Sequence, residues 1–317
     1  MNNEYKPAIV ATCPAGLGNR MKCMVSTIKN ARANGKMPLL YWPVNDLCGC
    51  TYDDLFKHKP FARELDEEEL DELKSTVDDL EINKTWKFTL STSSDCSSTS
   101  SDCLRDEEPL DFKFNKLTQK QRDEFVDYFK EFEPTQEIYD VIDVIYFKYA
   151  DDFAAGNVIG VHIRKGDYKV SFDGRQHIST EKGFQDKMKA LLEVNPDYKF
   201  LLCTEDKETE EEFEKLFGKD KIIYFHKRAR GRGDVAAMKE ALIDLYLLSK
   251  CDIILGTFLS TFTEVAWWLG GCKANVCIIG EEDEEAVAKV WAKLPKPGES
   301  IVAKGIRRIK IWWSEGI

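Results

Sequence analysis

The chain has 317 residues, of which 43% are hydrophobic and 32% charged, the make-up of an ordinary soluble globular protein with length for two cores of about 150 residues each. Its net charge of −11 argues against a general nucleic-acid or membrane-surface binder, so an anionic ligand needs a local basic pocket. No run approaches the roughly 20 apolar residues that span a bilayer, and no membrane segment is expected.

The opening MNNEYKPAIV lacks the basic and apolar regions of a secretion signal, which points to a cytoplasmic protein or to a soluble catalytic domain without its targeting segment. Residues 8–12 form a β-type run, followed by CPAGLGNR and by apolar residues at helical spacing over 21–34. This is strand, glycine-rich turn and helix, in which Gly16 and Gly18 let a ligand approach the backbone at a helix N-terminus. The third glycine of the dinucleotide fingerprint is missing, since Met21 stands in its place, and NAD is not expected. A plain tight corner explains two glycines equally well.

A second strand is expected at 39–42, an acidic solvated helix over 63–80, and another strand at 84–90. The polar stretch 91–102 reads as an irregular loop. Amphipathic helices over 117–132 and 135–150 lead to a hinge at 151–156. Thereafter strands at 158–163, 198–203, 221–225, 252–256 and 275–279 alternate with helices near 181–194, 207–217, 234–250 and 261–270. Such alternation means βαβ units in a parallel sheet. The expected organisation is therefore α/β, with two Rossmann-like domains facing across a cleft. Domain limits are placed at 1–155, 156–285 and 286–317, the last a helical tail that packs back on the first domain.

The ten cysteines show no CxxC pairs or histidine partners at metal-ligand spacing, and only four histidines occur, so no metal site is expected. Cys13, Cys203, Cys251 and Cys277 read as small core residues, and Cys96 and Cys103 flank a polar loop that admits a disulfide only in an oxidising compartment.

Chemistry gathers at three strand ends of the second half. VIGVHIRKGDYK delivers His162, Arg164, Lys165 and Asp167 at the carboxyl end of a strand, where open parallel sheets bind ligands. The planar fork of Arg164 suits two oxygens of a diphosphate, although a local Arg164–Asp167 ion pair is the plainer alternative. KFLLC leads to Thr204, Glu205 and Asp206, and GTFLSTFTEVAWW gathers Thr257, Ser260, Thr261 and Thr263 before a helix. Those hydroxyls suit phosphate oxygens, and Ser260 or Thr261 serves equally as an ordinary N-cap. HKRARGRGD, residues 226–234, is either a diphosphate or anionic-acceptor contact or a solvated loop.

HIRKGD resembles the H-x-R-x-G-D segment of the GDP-fucose-dependent fucosyltransferase superfamily, which includes the α1,2-, core α1,6-, protein O- and nodulation fucosyltransferases. AGLGNRMKCMVSTIKNARANGK, LLCTEDKETEEEF and ALIDLYLLSKCDIILGTFLSTFTEVAWWLGG are similar to three further segments of that superfamily, in the same order. The resemblance implies a GT-B-like fold, a GDP-fucose donor, a glycan acceptor, inversion at the anomeric carbon, and neither metal nor cofactor. It implies that Arg164 holds the donor's β-phosphate, that His162 and Asp244 contact the guanine end, and that Asp206 shapes the same pocket with Asp167 nearby. Ser260 and Thr261 then bond phosphate oxygens, Gly16 and Gly18 admit the diphosphate, and Asn19 lies near the reacting sugar. The sequence departs from the core α1,6 group at Tyr168, where that group has lysine, and the nearest candidate bases downstream are Asp173 and Glu181. Another nucleotide-sugar donor, or a non-catalytic nucleotide- or glycan-binding module, is the rival reading. Nothing in the sequence sets an oligomeric state.

Overall fold

The computed structural model describes residues 7–77, 80–84, 118–165 and 178–280. Ala8–Ala11 (β1) is buried at every position, as a strand covered on both faces requires. Helix Leu17–Ala33 (α1) begins four residues before its apolar spacing suggests, which puts Gly18 and Asn19 in its first turn rather than in a loop. The reason lies in the second half of the chain. A Cβ on Gly18 would stand 3.1 Å from the carbonyl oxygen of Thr261, so the glycine permits close helix approach and not a flexible corner.

Met37–Tyr41 (β2), Arg63–Leu65 (β3), Glu67–Thr76 (α2) and Glu81–Asn83 (β4) complete the first layer. Its four strands are parallel in the order β3-β2-β1-β4. The acidic helix expected over 63–80 is thus shorter: 63–65 pair with β2, and Asp66 starts the helix through a reciprocal capping box with Glu69. A strand that was not expected forms at 81–83, where it pairs with β1; the strand expected at 84–90 falls, but for Lys84, outside the described residues. Positions 85–90, the polar loop 91–102 and the tail 286–317 lie outside the described residues.

Gln119–Phe129 (α3) and Gln136–Lys148 (α4) follow, and the segment read as a hinge is instead a helical turn, Ala150–Ala154 (α5). The second half then runs Val158–Ile163 (β5), Glu181–Val194 (α6), Lys199–Thr204 (β6), Lys207–Phe217 (α7), Ile222–Ile223 (β7), Val235–Leu248 (α8), Ile253–Gly256 (β8), Thr261–Leu269 (α9) and Asn275–Ile278 (β9). Its parallel sheet has the order β7-β6-β5-β8-β9. The strand order reverses between β5 and β8, so their carboxyl ends flank a topological switch point.

The largest core joins the halves. Met24, Val25 and Ile28 of α1 share it with Phe125 and Phe129 of α3, and with Leu245, Val265 and Trp268 of α8 and α9. Trp268 stacks on Phe129 at 5.8 Å and meets Phe125 at 5.5 Å. Within this seam Lys22 Nζ donates to Glu264 Oε2 at 2.7 Å, with side chains only 2% and 6% exposed. Eight described cysteines are free thiols; Cys96 and Cys103 lie outside the described residues. No helix among the described residues is long and apolar enough to cross a membrane.

Candidate functional site

The switch point is closed by one hydroxyl. Thr257, just past β8, accepts the Arg164 backbone N–H at 3.0 Å and donates to the His162 carbonyl at 2.9 Å. The ends of β5 and β8 are thereby stapled together, and Arg164 leaves β5 at a fixed point, half-buried. His162 is only 6% exposed; its Nδ1 lies 2.9 Å from Thr263 Oγ1 and its ring stacks on Phe262 at 4.7 Å. Burial, reinforced by Arg164 and Lys227, pushes the imidazole down to about 3, so His162 is neutral near pH 7.

The turn into α9 carries backbone strain. Leu259 has φ +54, a conformation that L residues avoid, and it is held by the Ser260 N–H to the Thr257 carbonyl at 3.2 Å. Ser179 pins the same turn, accepting the Phe258 N–H at 2.8 Å and donating to the Ile279 carbonyl at 2.6 Å. Ser260 stands at the N-cap of α9 but makes no side-chain cap, and its Oγ is buried without a hydrogen-bond partner. The first turn of α1 abuts this helix start at Gly18 and Thr261. Asn19, in that turn, likewise has a buried Oδ1 without a partner. Two helix N-termini, with the positive dipole ends that go with them, therefore meet at Gly18 and Thr261, and Thr257 ties the Arg164 backbone to the turn that starts the second.

The other sequence-derived residues divide. Asp206 caps α7, accepting Thr209 N–H at 3.0 Å and Thr209 Oγ1 at 2.6 Å, while Glu205 accepts the Lys165 N–H at 3.0 Å. Asp244 lies deep beneath the basic run, paired with Lys227 at 2.9 Å, and burial raises its carboxyl to about 6 against the pull of that lysine. Glu181 starts α6 and is engaged by the Lys165 ammonium and by Thr209 Oγ1. Gly16 caps α1 and faces Arg232. Asp167 and Asp173 lie outside the described residues.

Three residues escaped the sequence reading. Arg20 is buried beneath the glycine turn, donating to the Ala15 carbonyl at 2.6 Å and to Asn45 Oδ1 at 3.2 Å over the Trp42 ring. It braces the turn from below, and its adjacency to Gly18 and Asn19 was the available signal. Glu210 and Glu240 anchor the basic run, and the Glu240/Asp244 spacing of one helical turn on an apolar helix was the sign. Among the described residues no group of three or more His, Cys, Asp or Glu side chains is placed to hold a metal ion.

Residues 117–269 match the family model described as Nodulation protein Z (NodZ). Over those residues the resemblance to the fucosyltransferase superfamily is borne out. That match bears out the expected enzyme class, and it begins at α3, before the expected domain limit at 155. Among solved structures, fucosyltransferase NodZ from Bradyrhizobium is 16% identical with a TM-score of 0.51, covering 84% of this chain and 92% of that one. Arabidopsis thaliana FUT1 in complex with GDP is 15% identical with a TM-score of 0.52, covering 85% and 70% respectively. Both share the fold, and the expected GT-B-like α/β architecture is borne out. No curated protein sequence matches the chain.

Proposed function

We propose that the chain transfers fucose from GDP-fucose to a hydroxyl of a glycan acceptor, with inversion and without a metal ion. One observation carries this reading: Arg164, fixed by Thr257 at the switch point, stands beside the α9 start where Ser260 Oγ is buried and unpartnered. A guanidinium and two helix N-termini supply the positive field that a departing GDP oxyanion needs, a task that a divalent ion performs in other transferases. The NodZ α-1,6-fucosyltransferase of similar fold has been soaked with GDP-fucose, which supports the donor.

A thermal-shift panel of GDP, UDP, GDP-fucose and GDP-mannose tests the donor. GDP and GDP-fucose should raise the melting temperature and UDP should not, because a ligand that binds only the folded state stabilises it. Stabilisation by UDP alone would sink the assignment. Turnover in excess EDTA is expected to equal that without it, and a loss restored by Mn²⁺ would sink metal independence.

The proton of the acceptor hydroxyl has two routes out. In one, Asp173 or Glu181 is the general base; in the other, Asn19 steers the acceptor while the departing phosphate takes the proton. The structure favours the second, because Glu181 is already committed to Lys165 whereas Asn19 Oδ1 is unpartnered at the helix junction. We expect Asn19→Ala to lower kcat by roughly 10²-fold and Glu181→Gln to leave it within about threefold, measured with GDP binding preserved. A collapse in Asp173→Asn or Glu181→Gln alone would reverse the assignment.

A further inference from the structure

The basic run 226–234 is held too firmly to be a solvated loop. Glu240 accepts the backbone N–H groups of Arg228 and Ala229 at 2.8 and 3.1 Å. Glu210 takes the side chains of Lys227 and Arg230, and Asp234 closes the run by capping α8 through the Ala237 N–H at 3.0 Å. The far end is clamped to the other half of the molecule. Gly49 donates to the Arg232 carbonyl at 2.6 Å, and a Cβ on Gly49 would stand only 2.2 Å from the carbonyl carbon of Gly233. Glycine is thus required for the two loops to touch.

This clamp determines where Arg232 goes. Its Nη1 lies 3.9 Å from the place a Cβ on Gly16 would occupy, alongside the turn that leads into α1. Two residues on, Gly18 meets Thr261, and Thr261 follows Ser260, a residue 8% exposed whose hydroxyl is buried and unpartnered. Glu210 and Asp244 engage Lys227, Glu210 also engages Arg230, and the guanidinium of Arg232 lies alongside the glycine turn.

We infer that Arg232 is a second arginine binding the donor's diphosphate, reaching it alongside the glycine turn at the α1 N-terminus. The inference rests on the donor reading above and deepens it: the site would grip phosphate with two arginines of the second half, one of them seated against the glycine turn of the first. In a protein of net charge −11, such a pair of forks is the local positive field that an anion requires.

Titration calorimetry with GDP and with guanosine, on the wild type, Arg232→Ala, Arg232→Gln and Gly49→Ala, tests it. Both Arg232 variants should bind GDP at least about tenfold more weakly and bind guanosine as the wild type does, since only the former carries phosphate. Gly49→Ala, which keeps the arginine but pushes its loop away, should weaken GDP in the same direction. GDP affinity within twofold of wild type in both Arg232 variants, or an equal loss for guanosine, would overturn the role of Arg232 alone. A wild type that binds neither compound would instead overturn the donor reading beneath it.

Discussion

Replacing Arg164 by alanine or lysine is expected to lower kcat by roughly 10²–10³ and to leave the melting temperature near that of the wild type. The tolerance follows from the staple at the switch point, in which Thr257 holds the backbone N–H of Arg164 and not its side chain. Any residue except proline can keep that bond and the junction of β5 and β8. The loss in rate follows from charge that develops as the bond to the sugar breaks. Lysine retains a positive charge but presents one ammonium where the arginine presents a two-pronged fork. Lysine is therefore expected to rescue little. Steady-state kinetics on the two variants, with melting curves as the control, decide the matter, and near-normal turnover in Arg164→Lys would remove Arg164 from the transition state.

The largest effect on stability is expected at the Lys22–Glu264 pair. Lys22→Met should cost about 3–5 kcal/mol, because it leaves a carboxylate uncompensated in a seam that water does not reach. Burial already raises the Glu264 carboxyl above its usual range, against the pull of the adjacent ammonium and the Trp268 indole. Glu264 also accepts Trp268 Nε1 at 3.3 Å, so the informative partner substitution is Glu264→Gln, whose amide oxygen can keep the indole bond. The double variant Lys22→Met/Glu264→Gln should recover most of the loss, since no charge is then buried. Denaturant titrations measure both. A double variant no more stable than Lys22→Met would show that packing, and not the uncompensated charge, sets the cost.

How much was legible in the sequence depended on whether the determining contact was local. In the second half, β5, α6 and α7 form at 158–163, 181–194 and 207–217 as their patterns indicate. There, continuous apolar runs and helical spacing act within a few residues, and Asp206 and Thr180 cap their helices through neighbours three positions on. The glycine turn misled, because a glycine pair reads locally as a corner. What requires a glycine at position 18 is a backbone more than 200 residues away, and no local rule can see it. β3 and β4 are strands of charged and polar residues, formed because the edges of an apolar sheet accept them rather than by their own propensity. HIRKGD and the Thr257–Thr263 hydroxyls were found from composition alone, since charged and hydroxyl groups after apolar strands are rare enough to stand out. Arg20, Lys22 and Glu210 were not, because a buried charge resembles a solvated one until its partner is known.

The shared seam also sets an order of events during synthesis. Lys22 and Glu264 are 242 residues apart in the chain, and α1 also rests on α9 through Gly18. At roughly 5–20 residues per second, a ribosome needs about 12–48 s to pass from one partner to the other. For that interval α1 has β1 and β2 to lean on but lacks the helix that neutralises its lysine and covers its outer side. Nascent first halves therefore present an apolar, positively charged helix face to the cell until the last third of the described chain emerges. The assembly that brings the two helix N-termini together is consequently among the last parts of the molecule to exist.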